Sequence, residues 1–418
     1  MAKYQKTHSH ASRKKKKVFE VVQPLFSENR LYIEDLALAG LQPKIQQALE
    51  VERDEIVGRS WHKHHQAETP VQYRNGYGKL RCLTCGSGTI AVQMPRLREP
   101  YDSKVVEKYE RLTPAMQQHL SELYLHGLAT GDFGQAFGWL WGEDAPLSAS
   151  TIGRLKQSWE EELSQWKKRP VEEEYLYVWA DGIYPKGGAV DETLAILVVL
   201  GVNREGEKKL LAIEEGYRES QESWTDLFRD LKKRGVKWIG LMIGDGLDGL
   251  WKASRSVFPM ALHQRCWVHK MRNILDKVPK NVHDEVLDWL RKIYHASSYV
   301  QAKQLKKEFV QQYKALYPKA VKSLEEAGEM LFTYFRFPEK YWVHLKTTNP
   351  IESLFATVRL RTAAARRLRS RMSAVCLVFQ ILKTSEPRLR KIRRYQIAAD
   401  TIDRLRLKKN ISLTRRAA

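Results

Sequence analysis

The spacing of apolar positions changes at Pro170. Before it, apolar residues recur at helical intervals, and the pattern predicts helix over 18–57, broken at Pro24 and between Gly40 and Pro43. Further helices are predicted over 104–126, stopped by Gly127, over 130–141, and over 148–168. In the last of these Ser148 suits an N-cap, and Ile152, Leu155, Trp159 and Leu163 share one face. Only 79–95 reads as strands, two of them joined by Cys85-Gly-Ser-Gly88. After Pro170 the runs shorten: strands at 175–181, 193–203 and 209–214, a helix at 220–234, a strand at 238–243, a helix at 247–256 and a short apolar run at 260–262. Three strands with hairpin-length links followed by alternating helix and strand predict a mixed α/β sheet with helices on it. From 270 to 341 everything is helical and amphipathic, an insertion between the fifth strand and a last helix that opens at Asn349-Pro-Ile-Glu352.

Charge changes this picture because of where it lies. Residues 1–17 carry seven lysines and arginines and no acid, and 353–418 carry eighteen against Glu386, Asp400 and Asp403. These two ends account for the whole net charge of +22, and the interior is balanced. Such concentration is the footprint of a polyanion partner, and basic helices without a Trp/Phe-rich apolar face favour double-stranded DNA over an anionic membrane. The arm at 1–17 lacks the apolar content to fold. No apolar run reaches membrane-spanning length, there is no apolar signal-peptide core near the N-terminus, and four cysteines in 418 residues make no disulfide framework. A reducing, cytoplasmic and nucleoid-associated setting is expected.

Candidate chemistry follows from three carboxylates. Asp181 ends the first strand of the α/β region and Asp245 ends the fourth, inside Gly244-Asp245-Gly246. Antiparallel strands one to three and then a crossover allow strands one and four to lie side by side and parallel, bringing the two carboxylates together. Like charges that close repel, and divalent cations are the usual remedy. Glu352 sits one turn into the helix expected to cross that end of the sheet. Each residue also has a plain structural reading: Asp-Gly turns at 181 and 245, and a capping box with Asn349 as N-cap, Pro350 at N1 and Glu352 at N3.

Three blocks carry a resemblance: Trp-Ala-Asp181-Gly; Gly-Asp245-Gly through Phe258-Pro to Gln264-Arg-Cys266-x-x-His269-Lys-x-Arg-Asn273; and Thr347-Thr-Asn-Pro-Ile-Glu352-Ser through Arg359-x-Arg361-Thr362. With Tyr73-Arg-Asn-Gly-Tyr77, Pro95-Arg-Leu-Arg98 and the helix near Ser148, they resemble the Mutator-type (IS256-family) transposases of bacterial insertion sequences. The resemblance implies a ribonuclease-H-like catalytic domain with an Asp181, Asp245, Glu352 triad and an all-helical insertion before the glutamate, in agreement with the independent reading of 270–345. It further implies two Mg²⁺ ions (Mn²⁺ as substitute) roughly 3.5–4 Å apart, Asp181 bridging them. Water would free a 3′-hydroxyl at the element's end, and that hydroxyl would attack target DNA. A copy-out, paste-in route is the family's expectation.

The domain organisation then reads as a basic arm (1–17), an N-terminal DNA-binding region (18–169) with a hairpin near 73–98 and a helix-turn-helix near 130–168, a catalytic domain in two parts (170–269 and 346–380) split by the insertion (270–345), and a basic tail (381–418). An ordinary helical hairpin gives the same pattern as the helix-turn-helix. Expected DNA contacts are Arg154 and Lys156 on that motif, Arg265, His269, Lys270 and Arg272 around the C-x-x-H signature, and Arg359 and Arg361 on the last helix. Holding two element ends calls for at least a homodimer. Cys82-x-x-Cys85 with His62, His64 and His65 nearby has zinc-like spacing, whereas Cys266 and His269 supply only two of the four ligands that structural zinc needs. That pair is expected to bind no zinc, with Cys266 in the interior and His269 facing the active site or DNA. Cys376, in an apolar run, is expected in the core. A DNA-binding regulator without strand transfer is the alternative to an enzyme. No glycine-rich phosphate loop is present.

Overall fold

The computed structural model describes residues 33–58, 72–108, 110–125, 133–141, 149–185, 194–364, 370–392 and 400–405. The arm at 1–17, the histidines at 62, 64 and 65, Ser148, the Lys156 side chain and most of the basic tail fall outside them. The chain divides into two compact units, 1–155 and 156–418.

In the first unit helix α1 (Ile33–Val57) lies on a two-stranded antiparallel hairpin, β1 (Arg74–Cys85) and β2 (Gly88–Leu97). Leu38, Leu41, Ile45 and Leu49 of α1 pack with Leu83, Ile90 and Val92 of the hairpin. That packing carries the helix straight through Gly40 and Pro43, where the sequence predicted a break. Proline removes one backbone hydrogen bond, and burial of the apolar stripe outweighs the loss. The helix expected over 104–126 begins only at Pro114 (α2, Pro114–Leu125). Thr84 N–H donates to the Arg111 carbonyl, and Thr113 N–H donates to that of Thr84, so residues 111–113 run alongside the hairpin instead of starting a helix. Helix α3 (Phe133–Trp141) joins α2 in a second cluster of Leu112, Met116, Leu120, Phe133 and Phe137. The division between units falls within α4 (Ala149–Lys168).

The second unit holds a five-stranded mixed sheet: β3 (Glu174–Ile183), β4 (Leu194–Val202), β5 (Lys208–Tyr217), β6 (Trp238–Gly244) and β7 (Leu262–Arg265), in the order β5-β4-β3-β6-β7. β3, β4 and β5 are antiparallel neighbours, while β3–β6 and β6–β7 are parallel. The crossover uses α5 (Gln221–Lys233), whose N-cap Ser220 accepts from Ser223 N–H. α5 buries Trp224, Leu227, Phe228 and Leu231, an i, i+3, i+4, i+7 stripe, in one core with Val178, Ala180 and Met242 of the sheet. α6 (Asp248–Val257) adds Leu250 and Trp251 to it.

The insertion is helical, as the sequence predicts: α7 (Trp267–Leu275), α8 (His283–Tyr294), α9 (Tyr299–Tyr313), α10 (Pro318–Glu326), short 3-10 turns, and α11 (Trp342–Leu345). It is pinned where it leaves and returns. Trp267 Nε1 and Gln264 Nε2 both donate to the Leu331 carbonyl, and Gln264 Oε1 accepts from Tyr334 N–H. α12 (Asn349–Ala364) follows and buries Ile351, Leu354, Phe355 and Val358. α13 (Arg371–Ser385) contains Cys376, buried as expected.

Candidate active site

Register places the first two carboxylates. Trp179 of β3 is level with Ile243 of the parallel β6, so Asp181, near the end of β3, and Asp245, the first residue after β6, come near enough for Asp245 to act on the Asp181 charge. Both follow residues of the same sheet face. Trp179 on that face donates its Nε1 proton to the carbonyls of His344 and Thr347. These bonds bring the segment before α12 onto the face, and Glu352 with it.

Asp181 is buried, and its Oδ1 accepts from the next N–H, that of Gly182, at 3.0 Å. Burial first, then the charge of Asp245, push its carboxyl up to about 7; His269 and the Gly182 N–H pull the other way, and Glu352 adds to the rise. Asp245 accepts from Leu247 N–H at 3.0 Å, so it shapes its turn and faces Asp181 at once. A fourth acid, Glu219, was missed in the sequence. Its carboxyl is pushed up to about 8, by burial first and then by Asp245 and Asp181, with a hydrogen bond from Tyr184 opposing. It lies so close to β3 that a Cβ on Gly182 would sit 2.5 Å from its Oε1. Glu219 follows strand β5, which carries no motif, so only the fold reveals it.

Glu352 is not in a capping box. The helix begins at Asn349, the N-cap is Thr348, and the Thr348 carbonyl accepts the N–H groups of Ile351 and Glu352. The Glu352 carboxylate instead takes the Thr348 hydroxyl at 2.6 Å, and His269 Nε2 lies 3.6 Å from the same oxygen, Oε1. Among the described residues, Cys266, His269 and Glu352 bring metal-competent atoms within 4.8 Å of one another. Cys266 is fully buried, as expected. Its thiol raises the His269 imidazole to about 9 against burial, with Asp181 and Glu352 contributing.

The cationic candidates separate. Arg265 lies over Gly246, where φ is +106° and a Cβ would sit 2.1 Å from its Nε, so only glycine fits. Burial lowers its guanidinium below the usual value, partly offset by Asp245, Glu326 and Asp248. Arg154, Arg272 and Arg359 are exposed and Arg361 is half-buried. Lys270, read from sequence as a DNA contact, is buried instead, and its ammonium donates to the carbonyl and hydroxyl of Ser323 in α10. Its place on the inner face of α7 was invisible in a basic-looking motif. In the first unit Cys85 donates its thiol proton to the Gly88 carbonyl. Arg74 and Tyr77 of the Tyr-Arg-Asn-Gly-Tyr block bind Asp54 and Glu50 of α1.

A buried aspartate coupled electrostatically to three further carboxylates offers oxygen donors with excess negative charge, the chemistry that suits a hard divalent cation. The family model for transposases of the Mutator family matches residues 13–389. The chain belongs to the Mutator family of transposases. It is 43% identical over 278 residues to the transposase of insertion sequence element IS6120 from Mycolicibacterium smegmatis, covering 66% of this chain and 86% of that protein. It is 32% identical over 338 residues to the ISRM5 transposase of Rhizobium meliloti (80% and 83%). It is 28% identical over 355 residues to the IS256 transposase in transposon Tn4001 of Staphylococcus aureus (84% and 90%). No helix among the described residues of this Mutator-family chain is long and apolar enough to cross a membrane.

Proposed function

We propose that this chain transposes an insertion sequence: it binds the element's ends, hydrolyses a phosphodiester to free a 3′-hydroxyl, and joins that hydroxyl to target DNA. The observation that carries this reading is the placement of Asp181 in β3 beside Asp245, just past the end of the adjacent parallel β6, with Glu352 brought to the same face by α12. The strand order and helical insertion support a ribonuclease-H-like domain. Asp181, Asp245 and Glu352 would hold Mg²⁺, or Mn²⁺ as substitute; a bound pair supplies positive charge to the attacking and leaving oxygens of the phosphate. The protein's own part is to keep the carboxylates converged and partly dry. Arg265 and His269 stand next to them as positive groups for the DNA phosphate. Two ends must be held at once, so the working form is at least a dimer.

A regulator that only bound DNA would gain nothing from gathering carboxylates at the cost of their repulsion. The test is a cleavage assay on end DNA and a joining assay with pre-cut ends. Glu352→Gln should abolish both and leave end binding intact; strand joining by that variant would remove the catalytic role of Glu352. Cleavage without joining of pre-cut ends by the unmodified protein would make it a nuclease.

A further inference from the structure

The Thr348 hydroxyl does something that an N-cap side chain does not. A capping threonine points its oxygen at the N–H of the second or third helical residue. Here the hydroxyl turns to the Glu352 carboxylate, 2.6 Å from Oε1, and to the Cys266 sulfur at 3.3 Å. A hydroxyl has one proton, and the short bond to a carboxylate claims it. The Cys266 sulfur stays in contact with the Thr348 oxygen, and the Thr348 N–H donates to that sulfur at 3.4 Å. Cys266 is itself fixed, for its N–H donates at 2.7 Å to the carbonyl of Gly244, the residue before Asp245. Its neighbour Trp267 donates to the Lys346 carbonyl at 2.9 Å, tying the start of α7 to the segment that leads into α12. His269 approaches the same Oε1 from α7 at 3.6 Å.

We propose that Thr348, Cys266 and His269 are positioning residues that clasp Oε1 of Glu352 and leave Oε2 for the cation. The chain of bonds runs from Gly244 through Cys266 and Thr348 to Glu352, so it fixes the third carboxylate relative to Asp245. Cys266, His269 and Glu352 have a zinc-like combination of ligand types, but the sulfur already lies against the N–H and hydroxyl of Thr348, and the imidazole lies against both the thiol and the carboxylate. The cluster therefore orients a ligand instead of capturing a metal of its own. This inference rests on Glu352 being a metal ligand.

The experiment measures Mn²⁺ binding to the metal-free full-length protein, by electron paramagnetic resonance of free Mn²⁺, beside thermal melts of each variant. Thr348→Val keeps the shape and removes the hydroxyl; it should weaken Mn²⁺ binding about 10–100-fold, the usual effect of losing a partner that orients a ligand. Thr348→Ser should restore binding to near the unmodified value. His269→Gln provides an independent arm if Thr348→Val fails to fold. A histidine that acted only through its positive charge would, once removed, let Mn²⁺ bind more tightly; a positioning histidine gives weaker binding. Undiminished Mn²⁺ affinity in folded Thr348→Val, with affinity lost in Glu352→Gln, would overturn the clasp and leave the triad standing. Undiminished affinity in Glu352→Gln would overturn the triad reading and the clasp together. One zinc per purified chain, lost in Cys266→Ser, would also overturn the clasp.

Discussion

Two regions of the second unit bury charge, and they do so in opposite ways. At the end of β3 and β6, Asp181, Asp245, Glu219 and Glu352 are gathered with like charge facing like charge. Around the insertion, the buried lysines are each satisfied. Lys270 donates to Ser323, and Lys346 donates to the Tyr294 carbonyl at 2.6 Å while lying 4.6 Å from the rings of Tyr294 and Tyr334. A charge whose partners the fold supplies strengthens the fold. A cluster whose repulsion the fold leaves in place is a reservoir of binding energy for something absent from the chain, which under the proposed function is a cation and the DNA phosphate it carries.

The largest effect that would break this contrast lies in the carboxylates. Asp181→Asn or Asp245→Asn should lower end cleavage and strand joining by at least about 10³-fold, since several kcal/mol of charge stabilisation is lost at tenfold per 1.4 kcal/mol. Binding of end DNA, measured by gel shift, should persist. Near-normal joining by either variant would mean that the cluster is structural after all.

Lys346→Met should act on folding. It leaves the Tyr294 carbonyl without its donor, costing about 1–3 kcal/mol in urea unfolding, with Mn²⁺ affinity unchanged. A loss of metal affinity without loss of stability would erase the distinction between the regions.

Asp181→Asn should have the opposite sign in the metal-free protein. The folded carboxyl titrates at about 7 against an ordinary 3.8. Between those values the folded state keeps a proton that the unfolded chain has lost, so stability falls as pH rises from about 4 to about 7 and is flat above. The amide removes that fall and should raise stability at pH 8 by about 1–2 kcal/mol. Metal binding needs the carboxylate, so the rise in melting temperature on adding Mg²⁺ should grow as pH increases through about 7 in the unmodified protein. A Mg²⁺ effect independent of pH would count against Asp181 as a ligand.

The smallest effect is expected at Gly182. Alanine there would meet the Glu219 side chain, which can swing away, so the cost should be about 1 kcal/mol. Activity is the sharper readout, because moving Glu219 changes the charge beside Asp181. Full activity in Gly182→Ala would show that Glu219 is a bystander.

The sequence by itself determined much of this. Apolar runs of strand length, the alternation of strand and helix after Pro170 and the helical stretch after Cys266 dictate a mixed sheet with an insertion. The reason is physical: buried strands and amphipathic helices leave periodic traces in a linear chain. Asp181 and Asp245 were legible because each ends such a run. Other features required contacts between distant segments. The path of α1 through Pro43 depends on the hairpin beneath it, and the late start of α2 on the pairing of 111–113 with Thr84. Lys270 looked like a DNA-facing lysine until α7 was set against α10. The role of Thr348 depends on Cys266, 82 positions away in sequence. Glu219 joins the carboxylates only because the turn after β5 ends against Gly182. Periodicity records which way a residue faces within its own element; it holds no record of which residues from other elements meet there, and the tertiary structure decides that.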